Sequence, residues 1–278
     1  MVTFITDSGY DFPNIRLPFD FKLLPLRVYI GEREFFDKVT IQSTDVYRVQ
    51  REGGFPTTSL PSPENIERTL RETSLSSDEV YILTISSKLS NTYSVIKSMV
   101  SKLNLSNVKV LDTKSACIKQ GYIVWRAMKH YEKYGSLSQE DVDNFNREVI
   151  LLFLVPTLDY LYKGGRIGKA KALIGKLLSI KPILTVDEEG EVSSVATCRS
   201  IDAGVKVMYE IIQRFLKERS ILDNFIAVGA YTVPSMKPPI DKLAKFFGSK
   251  FVGSTTIGSA IAAHVGPEAF AIVIGRGE

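Results

Sequence analysis

Two short segments of this sequence concentrate hydroxyl groups just ahead of amphipathic helical patterns. Residues 86–92 read Ser-Ser-Lys-Leu-Ser-Asn-Thr, and residues 57–59 read Thr-Thr-Ser before Pro61. Hydroxyls at a helix start have two uses. They cap the helix's unpaired N–H groups, or they join those groups and the positive end of the helix dipole in holding an anion. The residues leave both uses open. Positive charge gathers farther along: residues 160–186 contain Lys163, Arg166, Lys169, Lys171, Lys176 and Lys181 and no acid. Most of these lysines suit a solvated helix face, or a local field that favours an anionic ligand, headgroup or partner. Arg166 differs, because Gly164-Gly165 before it and Gly168 after it form a turn that limits where it can point. His264 lies between a small-residue segment and the last apolar run, within residues 258–269.

Other chemistry is poorly supplied. Ser90 with His264, and Asp7 as a third member, could make a serine-dependent esterase or thioesterase, but no G-x-S-x-G elbow occurs. The glycine spacing matches neither a dinucleotide fingerprint nor a Walker loop, so NAD and ATP are unsupported. Cys117, Cys198, His130 and His264 are the only cysteines and histidines, too few for a metal cluster or a disulfide framework. His130, among Lys129, Glu132 and Lys133, reads as a surface residue. Lys plus Arg number 35 against 31 Asp plus Glu in 278 residues, an excess too small for a nucleic-acid footprint. No apolar run approaches the roughly 20 residues that span a bilayer, and the N-terminus does not read as a signal peptide. The expectation is a cytoplasmic protein that binds rather than turns over, without a cofactor.

The elements that position these groups fall into two styles. Residues 2–6, 80–85 and 108–111 are continuous apolar runs of the kind a doubly covered strand shows, alternating with helical patterns. Residues 23–30 with 33–36 read as an edge hairpin carrying Pro25, Ser43 as the cap of a short helix, and Ser62-Pro63 as the start of another. Ser138 and Asp141 form a capping box, and a strand over 150–155 is expected to close the first half. Beyond Pro156 the pattern predicts a short helix at 157–163 and a second at about 168–179. A hairpin at 183–186 and 191–198, a long helix capped by Ser200, strands at 225–230, 250–257 and 269–274, and a helix at 239–247 follow. This is an α/β fold: a parallel-sheet N-terminal domain (1–155) and an α+β C-terminal domain (156–278).

Seven segments in order carry a resemblance. These are TDSGYDFP (6–13), TTSLPSP (57–63), SSKLSNTY (86–93), DTKSA (112–116), TLDYLYKGGRI (157–167), LLSIKPIL (177–184) and HVGPEA (264–269). Together they resemble the DegV family of bacterial fatty-acid-binding proteins along nearly the whole chain. The resemblance implies a non-catalytic protein that holds one long-chain, palmitate-like fatty acid in a tunnel between its domains. It assigns the carboxylate to Thr58 and Ser90, with Ser59 and Asn91 contributing from the same segments and Arg166 and His264 tuning charge at the mouth. It also implies lipid transport or presentation of the acyl group to a fatty acid kinase as a protein partner, with transient contact at a membrane surface. This chain departs from the family at Asn91, where glycine is usual, and at Cys117, where serine is frequent. Asn91 is expected to keep the loop's shape through its tolerance of left-handed backbone angles, while Cys117 removes any hydroxyl role there.

Overall fold

The computed structural model describes residues 1–175 and 180–278. The chain opens with β1 (Val2–Asp7), β2 (Phe21–Leu24), β3 (Arg27–Ile30) and β4 (Arg33–Phe36), then α1 (Ser43–Arg51) and β5 (Thr57–Ser59). Helices and strands then alternate: α2 (Pro63–Ser76), β6 (Glu79–Thr84), α3 (Thr92–Lys102), β7 (Val108–Asp112), α4 (Cys117–Tyr134) and α5 (Gln139–Arg147). The second half holds β8 (Val149–Leu154), α6 (Asp159–Lys163), a 3-10 turn at Gly168–Leu173, β9 (Lys181–Val186), β10 (Val192–Cys198) and α7 (Ile201–Glu218). It ends with β11 (Phe225–Tyr231), α8 (Lys237–Phe247), β12 (Phe251–Thr256), α9 (Ser259–Val265) and β13 (Phe270–Arg276).

The uninterrupted apolar runs become the parallel sheet β2-β1-β6-β7. Side chains alternate across it, so Ile5, Val80 and Ile82 pack with Ile66 and Leu70 of α2 and Ile96 of α3. Phe4, Tyr81 and Leu83 face the opposite way, towards α4 and α5. That is the doubly covered arrangement the sequence predicts. The second half builds the mixed sheet β10-β9-β8-β13-β11-β12, antiparallel except for β11 with β12, backed by α7 and α8.

Several elements differ from expectation for identifiable reasons. Residues 23–30 are not one strand, because Pro25 lacks the N–H a ladder needs. Phe21–Leu24 joins the parallel sheet, while Arg27–Ile30 pairs with β4 and β5 in a separate three-stranded sheet. Thr57–Ser59 is therefore a short strand rather than a loop. Gln42, not Ser43, caps α1, and its N–H donates to Asp45 at 3.2 Å. The strand expected to close the first half, β8, lies near the middle of the second sheet between β9 and β13. The helix expected over 168–179 begins as a 3-10 turn at Gly168–Leu173, and its last four positions, 176–179, lie outside the described residues. Helix α9, which carries His264, has no counterpart in the sequence reading.

The two halves are joined where an open parallel sheet usually leaves its crevice, at the strands' carboxyl ends. The tip of the β9–β10 hairpin enters that space. Its backbone carbonyls at 186, 188 and 190 each accept a side-chain donor from the first half. Lys119 Nζ reaches Val186 O at 3.0 Å, Asn146 Nδ2 reaches Glu188 O at 3.1 Å, and Ser86 Oγ reaches Gly190 O at 2.8 Å. Lys119 is buried on α4, and burial pulls its ammonium down to about 8. No described helix is long and apolar enough to cross a membrane.

Candidate functional site

A cavity of about 890 Å³, counting its open mouth, lies between the halves. Leu26, Ile85, Leu89 and Cys117 of the first half and Leu151, Phe153, Val186 and Ile257 of the second wall it with apolar surface. The polar side chains that border it include Thr58, Ser59, Ser90, Arg166 and His264. An apolar chamber with a few converging polar groups suits an amphiphilic ligand.

Each polar group is held by its own element. Thr58 sits on β5 opposite Val28, and its Oγ1 lies 2.7 Å from His264 Nε2. His264 is in the last turn of α9, over Gly164, where an added Cβ would lie 2.3 Å from Nδ1. That Nδ1 is buried and has no hydrogen-bond partner. Burial, then the nearby Arg166 charge, lowers the imidazole's pKa from 6.5 to about 3, so His264 is neutral at physiological pH. Arg166 follows Gly165, which adopts φ +71° to make the turn. Its Nε donates to Leu89 O at 3.1 Å and its Nη1 to Gly164 O at 2.6 Å. Among the described residues Arg166 has no carboxylate partner.

Ser90 stands both at the helix start and at the cavity wall. Its Oγ accepts from Thr92 N at 3.3 Å and pairs with Thr92 Oγ1 at 2.8 Å at the start of α3, while also bordering the cavity. Ser59 borders the cavity, but its hydroxyl accepts from Arg27 Nη2 at 3.1 Å. Asn91 is the exception: it is exposed, makes no side-chain cap hydrogen bond, and does not line the cavity. Its φ of −76° needs no left-handed tolerance. Ser86 turns into the joint between the halves. Cys117 lines the cavity at φ +56°, with its thiol pKa pushed well up by burial and then by Asp11.

The hydrolase arrangement is not assembled. His264 bonds Thr58 rather than Ser90, and no described carboxylate orients its Nδ1, as a triad requires. Asp7 lies elsewhere, accepting from Ile85 N at 2.6 Å and Gly9 N at 2.9 Å. Most of the basic stretch is surface: Lys163 and Lys171 are exposed, and Lys169 pairs with Asp187 at 2.8 Å and Glu189 at 2.6 Å. Lys176 lies outside the described residues. His130 packs against Tyr134 and Phe145.

The cavity walls escaped sequence reading because Leu, Phe and Val beside a void look like Leu, Phe and Val in a core. Small residues were the available signal. Ala271 on β13, Ala269 just ahead of it and Ala260 on α9 leave room that larger side chains would fill.

His264 makes acid stability a probe of this geometry. The folded imidazole takes a proton only near pH 3, the unfolded one near 6.5. Between those values the unfolded chain binds more protons, so this group removes stability as pH falls through the window. Asp7 opposes it, because burial raises its pKa from 3.8 to about 6 and the folded state then gains protons first. His264→Gln is therefore expected to lose less melting temperature than wild type between about pH 6.5 and 4. Equal losses in calorimetry would show that the imidazole is not held neutral.

Comparison with known proteins agrees with this architecture. The family model described as "Uncharacterised protein, DegV family" matches residues 1–276. A DegV domain-containing protein of Clostridium acetobutylicum is 31% identical over 284 residues, spanning 98% of both chains. A solved DegV family protein from Thermus thermophilus, described by its fatty acid binding, superposes with a TM-score of 0.87 at 29% identity over 99% of both chains. The Streptococcus pneumoniae Fatty Acid Kinase B3 protein, loaded with linoleic acid, shares the fold at a TM-score of 0.79 and 17% identity, over 99% of both chains. With the family model matched along almost its entire length and a curated relative just as fully aligned, this chain belongs to the DegV family.

Proposed function

We propose that this protein is a non-catalytic carrier of a long-chain fatty acid, with the acyl chain in the cavity between the halves and the carboxylate at Thr58, Ser90, Arg166 and His264. One observation carries the reading: Arg166, half-buried beside an apolar cavity, has no carboxylate partner among the described residues. A carboxylate brought there gains a counter-charge and hydroxyl donors, which a buried anion needs. The tail supplies the drive, because burying a methylene is worth about 0.8 kcal/mol and a sixteen-carbon chain offers roughly 10 kcal/mol gross. Family membership and the solved Thermus thermophilus relative support the same ligand class.

In this reading the carrier presents its acyl carboxylate to a fatty acid kinase. We take the chain as two units, with the division between α5 and β8, since β8 is built into the second sheet. Thr58→Ala combined with Ser90→Ala is expected to lower fatty-acid affinity by about 1–3 kcal/mol through lost hydrogen bonds. Native mass spectrometry of protein purified without added lipid, then titration with palmitate, tests both parts. Wild-type affinity in the double variant would move the carboxylate elsewhere. Turnover of a short acyl ester that Ser90→Ala abolishes would replace the carrier with a hydrolase.

A further inference from the structure

We propose that Ala271 and Leu151 set the length of acyl chain this protein accepts, Ala271 by leaving room and Leu151 by ending it. The inference rests on the carrier reading and adds the place where the tail stops.

The inner wall of the cavity is the face of the second sheet that carries odd-numbered residues of β8 and β13. The register sets them in rows: Phe153 opposite Ala271, Leu151 opposite Val273, and Val149 opposite Gly275. Phe153, Ala271 and Leu151 border the cavity, whereas Val273, Val149 and Gly275 do not. Ala269 just ahead of β13 and Ala271 on it border the cavity while Val273 does not, so the empty space stops where alanine gives way to valine. Side chains two apart on a strand are about 6.8 Å apart, so each row governs several methylenes of an extended tail.

Beyond that row the space is taken by α4. Tyr122 lies on Gly275 so closely that an added Cβ would meet its ring at 2.4 Å, and its hydroxyl donates to Arg276 O at 2.9 Å. Tyr122 is fully buried and hydrogen-bonded at its tip, so this stop is fixed in place. Interiors packed to this density do not yield to one extra methylene. The last side chain before the stop that can be trimmed is Leu151, and the last that can be enlarged into the channel is Ala271.

The test measures binding of saturated twelve-, fourteen-, sixteen- and eighteen-carbon acids to wild type, Ala271→Leu and Leu151→Ala. A methylene denied burial costs roughly fourfold in affinity. Ala271→Leu is expected to lose more than about tenfold on the two longest acids relative to the twelve-carbon acid. Leu151→Ala is expected to shift the optimum towards longer chains. The ratio between acids within one variant is unaffected by a misfolded fraction, and Leu151→Ala decides the matter if the leucine variant does not fold. An unchanged length profile, or an equal loss at every length, overturns the inference. Wild type that binds none of the four acids overturns the carrier reading itself.

Discussion

Arg166→Met is expected to weaken fatty-acid binding by about 2–4 kcal/mol, roughly 30- to 1,000-fold, the range for removing one partner of a shielded charge pair. Methionine keeps much of the arginine's apolar length, so the substitution removes charge more than packing. The confounding effect is structural, because the guanidinium also holds Leu89 O and Gly164 O. A fatty alcohol of equal length separates the two. If the charge is what matters, the variant binds acid and alcohol about equally and its alcohol affinity stays near wild type. If loop geometry is what matters, acid and alcohol fall together. An acid affinity that does not move would detach Arg166 from the ligand.

The second large effect concerns the joint between the halves. Gly190 at the β9–β10 tip adopts φ +89°, and a Cβ there would lie 2.2 Å from Ser86 Oγ. Gly190→Ala therefore adds left-handed strain and displaces the Ser86 hydrogen bond to Gly190 O. Strain of about 1–3 kcal/mol and one buried hydrogen bond of about 1 kcal/mol add to a loss of roughly 2–4 kcal/mol. In a chain of this size that lowers the melting temperature by about 3–7 °C. Ser86→Ala alone is expected to lose only the hydrogen-bond share. Gly190→Ala melting with wild type would mean that the hairpin tip is not seated against Ser86.

The two predictions draw on features of different legibility. The parallel sheet could be read because its strands are covered on both faces, which writes continuous apolar runs into residues 80–84 and 108–111. The Ser138–Asp141 capping box, Ser62-Pro63 and the long helix from Ser200 were equally plain, since these caps use few residue types at fixed spacing. Pro25 misled because a proline marks a strand edge and a strand break alike. Helix α9 was hidden by its brevity and its alanines, which give no amphipathic period. At the site, Thr58, Ser90, Arg166 and His264 were found as separate polar segments. Their convergence was not visible, because residues 58 and 264 meet only through the packing of α9 against the three-stranded sheet. Asn91 shows the limit of carrying a motif over whole: it follows the cavity-lining serine, yet points to solvent.

The hairpin tip that fills the crevice is gripped through main-chain oxygens, and every residue type possesses those. Glu189 makes an exposed ion pair with Lys169 and Glu188 one with Arg219, each worth little, though Glu188 also lends its negative charge to the buried Lys119. Evolution can therefore rewrite the chemistry at Glu189 at small cost, yet it cannot add or delete one residue. An indel would shift the alternate carbonyls off Lys119, Asn146 and Ser86 at a stroke, so in this segment spelling is free and metre is fixed.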